Sequence, residues 1–144
     1  MNIETIGLLN RLLAIHERSF IQYLEYARPY VPAGREEVLE ALEAMASDQD
    51  VMAGRISHMI IDAGALPRSG EFPMEFTDMH DLGVDYLVQA AVRYEEFDVE
   101  RIQEIVDRLS TEPAAKAVAE EALGMAKGRL DTLRELASPP KAAA

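Results

Sequence analysis

Apolar residues recur along this chain at spacings of three and four, the period of one face of an α-helix, in four long blocks. The second block is the clearest. Val38, Leu42, Met45, Met52, Ile56, Met59 and Ala63 share one face, and Gln49 lies on it three residues before Met52. The spacing predicts a helix over about 35–63. Glu36, Glu37 and Glu40 suit the positive end of its dipole, Gly64 is placed to cap its far end, and Pro67 follows as a stop.

In the first block Ile6, Leu9, Leu13, His16, Phe20, Tyr23 and Ala27 predict a helix from residue 2 to about residue 28, and Leu8, Leu12, Ile15 and Leu24 widen its face. So wide a face implies contact with more than one neighbour and leaves room for a second subunit. Pro29 ends the helix, because proline lacks an N–H and disfavours helix at Arg28. The turn up to Gly34 is short, so the next helix is expected to run back antiparallel. A third helix is predicted over about 81–109, with Leu87, Ala91, Tyr94, Ile102, Ile105 and Leu109 apolar. Ser110 or Thr111 is the expected N-cap of a fourth, with Pro113 in its first turn. That helix continues to about Ala137 through Val118, Ala122, Met125, Leu133 and Leu136. The expected domain is 1–137, with 138–144 (SPPKAAA) a frayed tail.

Between the second and third helices lies a Gly- and Pro-punctuated stretch from Ala65 to about Asp81, with Phe72, Met74 and Phe76 interspersed. Some sixteen residues at ~3.3 Å each reach ~50 Å. A helix of about 29 residues is ~43 Å long. The stretch can therefore cross a whole bundle and start the third helix parallel to the second, its apolar residues packing as it goes. The expected fold class is all-α: a four-helix bundle with one long crossover between helices 2 and 3.

Charge narrows the partners. The 144 residues carry 26 acidic and 14 basic side chains, a net charge of −12, which disfavours nucleic acid and anionic membranes. Cysteine is absent, which excludes disulfides, thiolate metal sites and cysteine nucleophiles. No apolar run approaches the ~20 residues of a membrane span. Glu4, Arg11, Glu17 and Arg18 interrupt any signal-peptide pattern, so a cytoplasmic location is expected. There is no phosphate-cradling Gly-rich loop, no Ser/His/Asp spacing and no HExxH, and no catalytic residue is assigned.

Three stretches carry a resemblance. LLNRLLAIHERSFIQYLEYAR, with Gln22-Tyr23 and Ala27-Arg28, resembles the bacterioferritin first helix. MAGRISHMIIDAGALP resembles the His-Ala-x-x-x-x-x-Ile-x-x-x-Gly-Leu-Pro close of that family's metal-bearing helix, and RLDTLREL the stretch that opens with its second metal-binding histidine. The chain is thus similar to the ferritin-like superfamily, on its bacterioferritin and rubrerythrin side, whose bundle has one crossover. That family's chemistry takes a carboxylate from each of two helices and a Glu-x-x-His from each of the other two, and binds iron or manganese. The resemblance places His16, Gln49, Met52, Tyr94 (or Glu95), Ala126 and Arg129 at those positions. An imidazole stands for a carboxylate, an amide and a thioether for Glu and His, and an alanine and a cation for the second such pair.

The expectation is therefore a metal-free, non-enzymatic module with no cofactor. His16, Gln49, Met52, Tyr94 and Arg129 would form a hydrogen-bonded polar layer, and Arg129 would seek a carboxylate from Glu17, Asp50, Glu95 or Glu96. The alternative is an iron- or manganese-binding oxidase or store with ligands drawn from His16, Glu17, Asp50, Glu95 and Glu96. His58 and His80 read as surface or hydrogen-bonded residues, and Met45, Met52, Met59 and Met125 as core filler rather than haem ligands. Self-association, at least to a dimer, is expected through the first two helices.

Overall fold

A computed structural model describes residues 1–79 and 83–138. The described residues form α-helices, one 3-10 segment and connecting turns, with no strand among them. The helices are α1 (Ile3–Glu17), α2 (Phe20–Ala27), α3 (Glu36–Asp62), α4 (Val84–Arg108) and α5 (Pro113–Ala137). His80, Asp81 and residues 139–144 lie outside the described residues, and with them the expected start of the third helix and most of the expected tail.

The first predicted helix is two helices. α1 ends at Glu17, and Ser19, in extended conformation, is the N-cap of α2. Its Oγ accepts from the Gln22 N–H at 3.0 Å and donates to Gln49 Oε1 at 2.8 Å. A serine inside an apolar period competes with the helical backbone, and here a partner across the bundle fixes the outcome. α2 ends where Arg28 adopts a left-handed conformation (φ 45°), its N–H bonded to the Leu24 carbonyl, because the following Pro29 excludes ordinary helix there. α3 ends in a Schellman motif. Gly64 takes φ 83°, its N–H bonds the Ile61 carbonyl, and the Ala65 N–H reaches the Ile60 carbonyl. The N-cap of α5 is Glu112, neither Ser110 nor Thr111, and Pro113 opens the helix where its missing N–H costs nothing.

Ion pairs at the two ends fix the directions. At one end Arg35, the N-cap residue of α3, meets Asp85 in the first turn of α4 at 2.6 Å. At the other, Arg108 in the last turn of α4 meets Glu4 in the first turn of α1 at 3.2 Å. α3 and α4 thus start together and run parallel, while α1 opposes α4. The segment from Ala65 travels the length between those ends beside α1 and α2. Asn10 bonds the backbone of Leu66 and Arg68, Arg18 Nε donates to the Gly70 carbonyl, and Phe72 packs on Tyr23. Its 3-10 segment (Met74–Met79) buries Phe76 against Phe20 and Tyr94, whereas Met74 is exposed, contrary to the packing expected of it.

α1 and α2 pack on α3, and α4 on α5; across these pairs α3 meets α5 and α1 meets α4. Leu8, Leu12, Ile15 and Leu24, the residues that widen the first apolar face, are buried within the chain. The core lies in two apolar halves. One is built on Leu9, Leu12, Met52, Ile56, Ile105 and Ala122, the other on Phe20, Leu24, Leu42, Leu87, Ala91 and Leu133.

Candidate functional site: a buried polar layer

Between the two halves every helical rod contributes a polar side chain. His16 and Ser19 come from the α1–α2 rod, Gln49 from α3, Glu95 and Asp98 from α4, and Arg129 from α5, and all six are buried. They share one height because helices of similar length run between common ends, so a polar residue near the middle of each meets the others.

Arg129 is the centre of the layer. Its Nε donates to Glu95 Oε1 at 3.1 Å, with Glu95 2% and Arg129 6% exposed. Burial pushes the Glu95 pKa up, and the Arg129 charge and hydrogen bond oppose it. Asp98, one turn further along α4, is pushed up to about 7 by burial and by the Glu95 charge, with Arg101, 3.6 Å away, and Arg129 pulling the other way. At His16 the Nδ1 lies 2.8 Å from the Leu12 carbonyl. A carbonyl only accepts, so Nδ1 carries the proton and Nε2 presents a lone pair. Burial lowers the His16 pKa to about 4, the Leu12 bond raises it and the Arg129 charge lowers it further. At neutral pH the imidazole is therefore uncharged. Two buried nitrogens, His16 Nε2 and Arg129 Nη1, make no hydrogen bond among the described residues.

Of the residues expected in the layer, His16, Gln49 and Arg129 lie there. Met52 packs one turn away, in the apolar half built with Leu12 and Ile56. Tyr94 is replaced by its neighbour Glu95. The Tyr94 ring, half-buried, stands 4.9 Å from that of Phe20 and 5.1 Å from that of Phe76 in an aromatic cluster. Ala126 is buried in apolar surroundings. Among the acids offered to Arg129, Glu95 takes the part. Glu17 is half-buried, Glu96 is exposed, and Asp50 is exposed and accepts from Gln22 Nε2 at 3.1 Å. Among the described residues no group of three or more His, Asp or Glu side chains is close enough to hold a metal ion. His58 is exposed, and Met45 and Met52 are core residues.

Ser19 and Asp98 join the layer without having been expected there, yet the sequence carries a signal for the second. The apolar spacing Leu87, Ala91, Ile102, Ile105, Leu109 keeps its steps of three and four when it passes through Tyr94 or Glu95 and then through Asp98. No family model matches this chain, and no curated protein matches it. No helix among the described residues is long and apolar enough to cross a membrane.

Proposed function

We propose that this chain is a ferritin-like four-helix bundle in which a buried ion pair takes the place of a dinuclear metal site, and that it serves as a metal-free structural or binding module. Support for the bundle comes from its directions: α3 and α4 start at one end, and the segment after α3 spans the length between them.

Support for the loss of metal comes from the donor set. Two divalent ions need several carboxylates and imidazoles facing inward. The layer offers one neutral imidazole, one amide and the carboxylates of Glu95 and Asp98, with a permanent cation among them. The observation that carries the reading is the Arg129–Glu95 bond, since a guanidinium spends its charge on the carboxylate best placed for a metal and repels any divalent ion beside it. Such residues do not fit the family's di-iron centre.

Elemental analysis after incubation with Fe(II), with Mn and Zn measured alongside, tests this. The expected result is substoichiometric metal, unchanged in Glu95→Gln. About two metal ions per chain, lost on substituting His16 or Glu95, would overturn the reading and restore the iron- or manganese-binding alternative.

We further propose a homodimer through α3. Its outer face exposes Ala44, Ser47, Val51, Gly54, His58 and Ile61 at heptad spacing, and the small residues in this stripe let a second helix approach closely. Sedimentation of the native chain and of Val51→Glu tests it. A dimer that dissociates in the variant is expected, and a native monomer overturns the proposal.

A further inference from the structure

The outer stripe of α3 is symmetric in its spacing. Ala44, Ser47, Val51, Gly54, His58 and Ile61 follow one another at steps of three, four, three, four and three, the same from either end. Laid antiparallel on a second copy, the stripe pairs Ala44 with Ile61, Ser47 with His58 and Val51 with Gly54. Each layer then joins a larger side chain to a small one, over about 26 Å of helix. Ser47 and His58 can also share a hydrogen bond. Laid parallel, every residue meets its own copy. Val51 and Ile61, 65% and 56% exposed, would then face themselves, and the two Gly54 positions would leave a gap.

Within one chain the small positions have no packing reason. Gly54 on α3 and Gly128 on α5 lie inside long helices, where glycine weakens the helix. A β-carbon at either would have no neighbour within 4 Å. With Ala41, Ala44, Met45 and Met125, Gly128 lines a groove of about 420 Å³ between α3 and α5, which also reaches Arg129 of the polar layer. The antiparallel register sets Ile61 of the second copy opposite Ala44, at the mouth of this groove.

The charges on the flanks favour the same direction. Arg55 bonds Glu121 of α5 and Asp48 lines the groove beside α5, so both lie on the α5 side of the stripe. Asp50 accepts from Gln22 of α2, on the other side. A twofold axis across antiparallel helices brings like flanks together. It sets Asp48 within two residues, ~3 Å of axial rise, of Arg55 in the second copy. Glu121 takes one hydrogen from each terminal nitrogen of Arg55, so the guanidinium keeps donors for a second carboxylate. A parallel pair brings unlike flanks together and sets Asp48 beside Asp50, acid on acid.

We propose that the α3 helices of the homodimer, the reading on which this inference rests, pack antiparallel with Val51 over Gly54. Ile61 of each copy then closes the α3–α5 groove of the other. The second copy thereby supplies the side chain that covers the polar layer on its α5 side, next to Arg129.

Sedimentation of the native chain reads the dimer itself, at about 0.15 M salt so that the charges of two copies at −12 are screened beyond ~8 Å. The chain has no cysteine, so Ala44→Cys and Ile61→Cys each carry one thiol, at an exposed position. A short bismaleimide is expected to join the two variants when they are mixed. It is expected to join neither variant to itself, because antiparallel copies of either position stand ~25 Å apart. Gly128→Gln, which fills the groove, is expected to weaken the dimer about tenfold, with helix content by circular dichroism unchanged. A native monomer overturns the homodimer and this inference with it. A dimer in which each cysteine variant cross-links to itself leaves the homodimer standing and overturns the antiparallel pairing. A dimer with no cross-link in the mixture, or one that Gly128→Gln leaves as tight as before, overturns the placing of Ile61 in the groove.

Discussion

Arg129 on α5 and Glu95 on α4 are joined by a 3.1 Å hydrogen bond in the interior, between the two apolar halves of the core. Removing one partner leaves the other as an unpaired buried charge. Glu95→Ala is expected to cost about 3–5 kcal/mol, read as a lower urea midpoint. Replacing both, as Glu95→Leu with Arg129→Met, is expected to restore most of that loss, because neither desolvation penalty remains. A double variant as unstable as the single one would show that the pair is essential to the packing itself.

His16 gives a pH signature. Its pKa is about 4 in the folded protein against 6.5 for an ordinary histidine. Between those values the unfolded chain binds the proton that the folded chain refuses. The contribution of His16 to stability is thus complete above about pH 6.5 and is lost as the pH falls towards 4. Nitrogen-resolved NMR of the imidazole is expected to report a neutral ring protonated on Nδ1 at pH 7. A ring that charges near pH 6.5 would contradict its burial.

Asp98 acts in the opposite sense. Its pKa is raised from 3.8 to about 7, so the folded protein holds a proton that the unfolded chain releases. Its cost to stability appears as the pH rises from about 4 and is complete above 7. Asp98→Asn is expected to gain on the order of a few kcal/mol relative to the native chain at pH 8 and little at pH 4. Denaturation of the two proteins at both pH values measures the difference. Because His16 and Asp98 oppose each other between about pH 4 and 6.5, the native curve is expected to be flatter there than that of either single variant.

Ser19→Ala removes two bonds at once, the cap on the Gln22 N–H and the donor to Gln49 Oε1. The expected loss is about 1–3 kcal/mol. Faster hydrogen exchange at the Gln22 amide would mark the cap. A global loss of stability without that local change would place the whole effect on Gln49.

Much of this layer could be seen in the sequence. His16, Gln49 and Arg129 stand out as polar residues on apolar stripes, and each lies in the layer. The choice between Tyr94 and Glu95 could not be made from local pattern. Both lie near the stripe of α4, and an aromatic residue fits an apolar period better than a carboxylate. Only the arrival of Arg129 from α5 makes burial of Glu95 tolerable, and only Phe20 and Phe76 make a lateral site for the Tyr94 ring.

The sequence by itself determined the helices, their approximate ends and their class. Periodicity, Gly64, Pro29 and Pro113 act through the backbone within a few residues, so their consequences are readable along the chain. Tertiary structure decided what depends on partners distant in sequence. It broke the first helix at Ser19, because Gln49 lies opposite. It chose Glu95 over Tyr94, because Arg129 lies opposite. Burial and charge at a position are sums over neighbours brought together by packing, and no local pattern contains those sums.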